Sequence, residues 1–387
     1  YSDFQDNFDM PGTVDLAVTV SPPAGGQVLV NGIPMLPQYD STVELFAGLG
    51  VEVLAVAAPG NVFVSWSDGS TDKHLILETK ASRTLTATFR QSNELVLPGQ
   101  IDADLTLFEN TVYTSVRDVV VSKGATLKVP AGVTIRLPSL ADLRVLGTLV
   151  MAGEEDNPIK VESRRVTKRW GAIALVDAEG ISLLSHVILR GGSLGADPTL
   201  ERGAISIVRS EVEMDYLDLD QVLIPIFAWE SKVTLRASHI HTPFTGDCIN
   251  VKHGECLVED CIFLGNSARD TDAVDFDDVV NGVIRNNRIY AFRGPNSDGI
   301  DVGEGCVDLL VSGNRIYNNS DKGISVGQAS TVRIERNLIV GCAQGVGIKD
   351  AGSTALIDQN TFAQCDVGVA VFEKNLGAGG GVSEVTN

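Results

Sequence analysis

Thr271-Asp272-Ala273-Val274-Asp275-Phe276, Ser297-Asp298-Gly299-Ile300-Asp301-Val302, Lys322-Gly323-Ile324-Ser325-Val326 and Gln344-Gly345-Val346-Gly347-Ile348 are near-copies of one another in the last third of the chain. Their central apolar residues recur every 22 to 26 residues. A period of this length is typical of a protein built from stacked structural repeats. The sequence therefore predicts a solenoid rather than a globular fold with a single core.

An asparagine recurs with the same period, each time just before a short apolar run. The members of this series are Asn287, Asn314, Asn337 and Asn360, which lie 27, 23 and 23 residues apart. Each repeat reads as short strands with polar corners, and strands this short cannot bury an apolar face alone. The repeats must therefore stack, so that equivalent residues form ladders along a continuous core.

The pattern resembles that of right-handed parallel β-helix proteins, which implies an all-β fold. Stacking at roughly 4.8 Å per coil would place one apolar ladder inside, formed by Val274, Ile300, Ile324, Val346 and Val369. The asparagines would form a second ladder at a turn, bonded side chain to side chain and to turn backbone. Backwards along the chain the same register fits residues 246–251 and, more loosely, 203–207, 170–175 and 124–129. We expect the β-helix to occupy residues 92–387 and to continue beyond Asn387, because no polar cap follows the last coil.

The first ninety residues carry a different pattern of short strand-like runs separated by Pro, Gly and Asn turns. They predict a small β-sandwich-like domain at residues 13–91, preceded by the tail of another domain or a linker at 1–12. Residues 24–32, 46–48, 58–66 and 85–89 resemble bacterial surface-protein repeats related to the internalin B-repeat. They also resemble the module after the kinase-like domain of secreted CotH-family proteins. These resemblances imply a bacterial protein that is secreted or held at the cell surface.

Composition narrows the class of partner. The chain has 50 acidic and 30 basic residues, a formal charge of -20, and no apolar run long enough to span a membrane. We therefore expect neither a nucleic-acid partner nor a membrane span. All six cysteines fall in the repeat region without a CxxC pair, which disfavours a zinc site. Cys342 and Cys365 occupy equivalent positions one coil apart, which leaves both a disulfide and two buried thiols open.

Acidic residues concentrate on two consecutive coils. Alternation along the strands places Asp275 outward, directly beneath Asp301. Two like charges about 5 Å apart repel by roughly 1 kcal/mol in water and by about 3 to 4 kcal/mol at an effective dielectric constant near 20. Such a stack needs a cation, a base or a shared proton. We expect a calcium ion held by Asp272, Asp275, Asp298 and Asp301, with a solvated acidic face as the alternative.

Residues 296–301 also resemble the Asn-Thr-Asp-Gly-Ile-Asp motif of polygalacturonase-type glycoside hydrolases, which are right-handed β-helices. This resemblance implies that Asp298 is a catalytic carboxylate, with Asp275 and Asp301 beside it. The family's two other catalytic motifs are missing, because Ser320-Asp321-Lys322 and Cys342-Ala343-Gln344-Gly345 stand in their places. A lyase or epimerase remains a further alternative, in which Lys252, Arg293 or Lys322 would act as the base and the spacing singles out none of them.

Two functions from different classes follow. The first is a secreted or cell-surface structural or adhesive rod that is part of a larger polypeptide, binds polysaccharide or other surface proteins, and associates with itself. The second is a polysaccharide-active hydrolase, lyase or epimerase that uses the face carrying Asp275, Asp298 and Asp301. The sequence favours the first function because only one catalytic motif is complete. Both functions place the protein outside the cell.

Overall fold

The computed structural model describes residues 12–35, 41–58, 61–91, 94–165, 167–241 and 244–386. The chain divides into two compact units, Tyr1–Leu95 and Val96–Asn387. Within the described residues all regular secondary structure is β-strand, which confirms the all-β prediction. The tail predicted at residues 1–12 lies outside the described residues except for Gly12.

The first unit contains eight strands, numbered along the chain: β1 Thr13–Ser21, β2 Gly26–Val30, β3 Ile33–Met35, β4 Thr42–Phe46, β5 Gly50–Ala57, β6 Asn61–Trp66, β7 His74–Glu78 and β8 Arg83–Gln91. They form two four-stranded sheets, ordered β4-β1-β8-β6 and β3-β2-β5-β7. Both sheets contribute to one core, in which Leu16 and Trp66 of the first sheet join Val28 and Val53 of the second. The predicted sandwich is confirmed. The sequence reading missed the short strands β3 and β7.

The second unit is a right-handed parallel β-helix with three sheets of twelve strands each. Sheet I consists of β10 Gln100–Ile101, β13 Val119–Val121, β16 Leu143–Val145, β19 Ile173–Val176, β22 Ile205–Val208, β25 Ile226–Trp229, β28 Ile249–Lys252, β31 Val274–Asp277, β34 Ile300–Gly303, β37 Lys322–Val326, β40 Gln344–Lys349 and β43 Val367–Phe372. Sheet II consists of β11 Leu105–Thr106, β14 Thr126–Pro130, β17 Thr148–Ala152, β20 Ile181–Ser185, β23 Glu211–Asp215, β26 Lys232–Arg236, β29 Glu255–Glu259, β32 Val283–Arg285, β35 Leu309–Ser312, β38 Thr331–Glu335, β41 Thr354–Asp358 and β44 Val382–Thr386. Sheet III consists of β9 Glu94–Val96, β12 Val112–Thr114, β15 Thr134–Leu137, β18 Ile159–Ser163, β21 Val187–Arg190, β24 Asp218–Asp220, β27 His239–His241, β30 Ile262–Leu264, β33 Arg288–Tyr290, β36 Arg315–Tyr317, β39 Leu338–Val340 and β42 Thr361–Ala363.

The predicted apolar ladder is confirmed on sheet I. Val274 pairs with Ile300, Ile300 with Ile324, Ile324 with Val346 and Val346 with Val369. The first four of these side chains are fully buried. Burial of a branched aliphatic side chain contributes about 1.5 to 3 kcal/mol. The core of the β-helix is therefore the sum of many such contacts between neighbouring coils.

The asparagine ladder is also confirmed. Asn314 Oδ1 accepts hydrogen bonds from the backbone nitrogen of Asn287 at 2.9 Å and from its Nδ2 at 3.0 Å. Asn314 Nδ2 in turn donates to the carbonyl oxygen of Ile284 at 2.9 Å. The same pattern repeats from Asn337 to Asn360. Each asparagine amide thus provides hydrogen-bond partners for buried backbone groups of a turn and connects that turn to the next coil.

The register predicted for residues 124–129 is wrong. They form β14, which belongs to sheet II, whereas the ladder of Val274 runs along sheet I through Ile249 and Ile226. The Gly-Ala-Thr-Leu-Lys-Val segment has the alternation of any β-helix strand, and alternation alone does not tell one sheet from another. The coil at Ile226–Trp229 was missed because Pro225 stands before its first ladder residue, where the recognised coils carry Ala, Gly or Cys.

The six cysteines are free thiols, and five of them are buried. The structure therefore holds Cys342 and Cys365 as thiols rather than as a disulfide. Among the described residues, no helix is long and apolar enough to cross a membrane.

Candidate functional site

The central row of the candidate site runs across four adjacent strands of sheet I. Asn250 of β28 pairs in register with Asp275 of β31, Asp275 with Asp301 of β34, and Asp301 with Ser325 of β37. The predicted stacking of Asp275 against Asp301 is confirmed. We call this row, with the charged side chains that contact it, the acidic face.

A second ladder of aspartates lies at the start of the same strands. Asp247 Oδ1 accepts a hydrogen bond from the backbone nitrogen of Asp272 at 3.0 Å, and Asp272 Oδ1 accepts one from the nitrogen of Asp298 at 2.5 Å. Asp298 Oδ1 continues the series by accepting from the nitrogen of Lys322 at 2.7 Å. Asp272 and Asp298 are buried. Their carboxylates fix the turns that lead into the strands and so position the central row.

Asn250 bridges the carboxyl groups of Asp275 and Asp247. Asn250 Nδ2 donates to Asp275 Oδ2 at 2.5 Å and to Asp247 Oδ2 at 3.0 Å. Burial raises the pKa of Asp275 well above its usual range, and the charges of Asp247, Asp277 and Asp301 raise it further. One proton therefore stays on this pair at a pH where an ordinary aspartate is ionised.

Three lysines compensate the remaining carboxylates. Lys252 pairs with Asp277, and Lys349 Nζ lies 3.2 Å from Asp301 Oδ1. Lys322 Nζ lies 2.5 Å from Asp321 Oδ2 and 3.4 Å from Asp298 Oδ1. These ammonium groups occupy the position of the compensating charge that the stacked carboxylates require.

Lys322 and Asp298 form a buried pair, and the pKa values of both groups are raised. Burial raises the pKa of Asp298 to about 6 against the opposing charge of Lys322, while Asp301 and Asp321 raise it further. Burial lowers the pKa of Lys322, but the charges of Asp298 and Asp321 outweigh burial and the net shift is upward. The Lys322 amine thus keeps its proton, which opposes the role of a free base that we expected for it.

Three polar side-chain atoms on the described strands of sheet I have no hydrogen-bond partner. Asn250 Oδ1, Ser325 Oγ and Gln344 Oε1 are buried and have no hydrogen-bond partner among the described residues. Asn250 is 8% exposed and Ser325 is fully buried. Buried polar groups are normally satisfied, so unpartnered ones on a charged face indicate a place for a ligand or water. The sequence reading missed Ser325, although it occupies the position of Asp275 and Asp301 in its own coil.

The predicted calcium ligands do not form a recognisable metal centre. Among the described residues, no group of three or more His, Cys, Asp or Glu side chains is arranged to hold a metal ion. Asp272 and Asp298 bind backbone nitrogens, and Asp301 binds Lys349. Calcium at this face stays a prediction.

Three surface grooves of the β-helix lie on sheet II rather than on the acidic face. One of about 540 Å³ is lined by Leu310, Arg333, Leu356 and Glu384, among others. Smaller ones lie beside Leu257 and beside Glu213. None of the predicted site residues lines them.

Comparisons with known proteins support the fold class. A family model described as a right handed beta helix region matches residues 226–377, which include the acidic face. The chain is similar to three solved structures. An alginate lyase from Paenibacillus sp. str. FPU-7 is 14% identical, with 66% of this chain and 93% of that chain covered and a TM-score of 0.32. The mannuronan C-5 epimerase AlgE6 A-module of Azotobacter vinelandii is 12% identical, with 75% and 91% covered and a TM-score of 0.40. The catalytic domain of a GH87 alpha-1,3-glucanase is 10% identical, with 94% and 86% covered and a TM-score of 0.31.

No curated protein sequence matches the chain. The fold and the family model define the class of protein: a right-handed parallel β-helix protein with an acidic face on sheet I. At identities of 10% to 14%, none of these similar proteins assigns an activity to this chain.

Proposed function

We propose that the acidic face is the active site of an extracellular enzyme that cleaves a polysaccharide by carboxyl acid-base chemistry. The observation that carries the proposal is the pair Asp275 and Asp301 on adjacent strands. Burial and the neighbouring charge of Asp247 raise the pKa of Asp275, whereas Asp301 is bonded to the Lys349 ammonium group. A protonated carboxyl group beside an ionised one is the arrangement that glycosidic bond cleavage requires.

The cost of the cluster supports an active site over a purely structural role. Several carboxyl groups with raised pKa values, Asp272, Asp275 and Asp298 among them, lie buried together on the outer side of a sheet. Buried charges cost several kcal/mol each before they are paired. Strongly perturbed pKa values that arise from burial and from specific neighbours are typical of catalytic sites.

In this mechanism Asp275 donates a proton to the glycosidic oxygen as the sugar bond breaks. The Asp301 carboxylate, held by Lys349, stabilises the positive charge that develops on the sugar or activates the attacking water. Asp298 and Asp272 hold the strands in register through backbone hydrogen bonds. Asn250 orients Asp275 and Asp247 through its amide.

A screen of neutral, amino-sugar and uronate polysaccharides tests the proposal. Products are detected as new reducing ends and as unsaturated sugars, so that hydrolysis and elimination are distinguished. We expect cleavage of one class, lost at least a hundredfold in Asp275→Asn and Asp301→Asn and retained in Asp366→Asn, which removes an exposed carboxylate just before the last strand of sheet I. No cleavage by the wild-type chain, or equal cleavage by all variants, would overturn it.

A second candidate is a structural or adhesive rod at the bacterial cell surface, stiffened by calcium and able to bind polysaccharide or other surface proteins or to associate with itself. The pairing of each lysine of the acidic face with a carboxylate of another coil favours it, because such ion pairs connect coils without taking part in a reaction. The resemblance of residues 13–91 to internalin B-type and CotH-associated modules supports the same setting. For this candidate, calcium should raise the melting temperature of the wild-type chain but not of Asp275→Asn or Asp301→Asn.

A further inference from the structure

The charge of the acidic face limits the sugars that it can take. Eight carboxyl groups and three ammonium groups contact one another there: Asp247, Asp272, Asp275, Asp277, Asp298, Asp301, Glu304 and Asp321, with Lys252, Lys322 and Lys349. The whole chain carries a formal charge of -20. A negative field of this kind repels polyanions and attracts cations.

Recognition of a sugar carboxylate needs an available cation, usually an arginine or a lysine. In the described part of the acidic face every lysine is already paired. Lys349 Nζ lies 3.2 Å from Asp301 Oδ1, and Lys322 Nζ lies between Asp321 and Asp298. Lys252 pairs with Asp277 and lies 3.7 Å from Glu304. A uronate would have to break one of these pairs.

The unpartnered amide oxygens of the face call for hydrogen-bond donors. Asn250 donates through Nδ2 to two carboxyl groups, which fixes Oδ1 as the free acceptor. Gln344 Oε1 is a second free acceptor, and Ser325 Oγ has no partner in the row beside Asp301. Hydroxyl and ammonium groups of a sugar are donors, whereas a carboxylate is only an acceptor.

The geometry points to a site that takes a glycan without carboxylate groups and prefers one carrying free amino groups, with Asn250 and Ser325 as its binding residues. This inference rests on the proposed function of the acidic face. A free amine would add charge attraction to the hydrogen bonds that a neutral sugar forms. A polyuronate meets the wrong charge and finds no free cation.

Calorimetric titration of the full chain with three oligosaccharides of equal length tests the inference. The probes are a deacetylated chitosan oligosaccharide, its N-acetylated counterpart and an oligogalacturonate. We expect the deacetylated probe to bind best, the acetylated one at least tenfold more weakly, and the oligogalacturonate not at all. Added salt should weaken the first binding more than the second.

Ser325→Ala separates binding from folding. Removing a buried hydroxyl group that has no partner should leave the stability of the chain unchanged or raised, so loss of binding cannot be assigned to unfolding. We expect binding of the deacetylated probe to fall about tenfold in Ser325→Ala, the effect of one lost hydrogen bond, and to stay unchanged in Asp366→Asn.

The outcomes distinguish this inference from the proposed function. Uronate cleavage that depends on Asp275 would leave the proposed function standing and overturn the choice of substrate. Binding of the amino sugar that is unaffected by Ser325→Ala and Asn250→Ala would place the ligand elsewhere and also overturn the inference. If no probe binds and no polysaccharide is cleaved, both fail.

Discussion

Lys349 reaches back two coils to Asp301. Its ammonium nitrogen lies 3.2 Å from Asp301 Oδ1, although the two residues are 48 positions apart in the chain. The lysine stem lies over Gly327, where an added Cβ would come 2.8 Å from Lys349 Cε. The missing side chain at Gly327 therefore makes room for an ion pair that connects three coils and holds one member of the proposed catalytic pair.

Two different substitutions should remove the ion pair between Lys349 and Asp301 and destabilise the chain. Lys349→Met removes the charge, and Gly327→Ala pushes the lysine stem aside, so each should lower the free energy of unfolding by about 2 kcal/mol. Urea unfolding measures the effect, with Lys374→Met as the control because Lys374 is exposed. A stable Lys349→Met variant would show that the pair does not hold the coils.

Replacing an asparagine in the middle of the ladder should destabilise the chain more than replacing one at its end. Asn314→Ala leaves the backbone nitrogen of Asn287 and the carbonyl oxygen of Ile284 without their partners. Because both groups are buried, we expect a loss of about 3 kcal/mol in the free energy of unfolding. Asn360→Ala should cost less, since Asn360 is half-buried and water can replace its bonds. Equal losses at the two positions would contradict a role for burial.

Asp142 should make stability depend on pH. Its carboxylate accepts hydrogen bonds from the nitrogens of Ala172 and Ala196, and burial raises its pKa from 3.8 to about 6, with the charges of Asp118 and Glu201 adding to the rise. The folded chain then binds more protons than the unfolded chain between these values. The contribution is complete below pH of about 4 and is lost as the pH rises through about 6, by at most about 3 kcal/mol.

Urea unfolding at several pH values from about 4 to about 7 measures this slope. Asp142→Asn should make the slope shallower, because it removes one of several carboxyl groups with a raised pKa, whereas the exposed control Asp366→Asn should follow the wild-type chain. Parallel slopes for Asp142→Asn and wild type would mean that Asp142 titrates normally in the folded state.

Thiol reactivity should separate the cysteines by burial. Burial raises the pKa of Cys342 to about 11 and those of Cys261 and Cys306 to about 12, and Cys365 alone of the six is half-exposed. We expect a thiol reagent to modify one cysteine rapidly in the folded chain and all six after denaturation without reductant. Four reactive thiols in the denatured chain would instead show that Cys342 and Cys365 form a disulfide.

The fold could be predicted from the sequence because the residues that determine it recur at a regular spacing. Val274, Ile300 and Ile324 recur at one spacing and the asparagines at the same spacing, so their ladders could be placed without coordinates. Residues 124–129 were assigned to the wrong sheet because all three sheets use the same alternation, and only the turn lengths between them fix which is which.

The site was only partly readable. The stacking of Asp275 on Asp301 follows from the repeat, and so does the need for a compensating charge. The repeat does not reveal that Lys349 supplies this charge, because Lys349 lies two coils away from Asp301 and reaches it through the space left at Gly327. The unpartnered Ser325 could be placed in the row by register, but its lack of a hydrogen-bond partner depends on the neighbouring side chains.

The measurement that tests the acidic face most directly is an NMR titration of isotopically labelled aspartate carboxyl carbons, in the wild-type chain and in Asp275→Asn. Since burial and the charges of Asp247, Asp277 and Asp301 raise the pKa of Asp275, we predict that the signal missing from the variant belongs to a carboxyl group that titrates well above the ordinary aspartate value. A signal that titrates near the ordinary aspartate value of about 3.9 would contradict a proton held at this face, and with it the role of Asp275 as the acid.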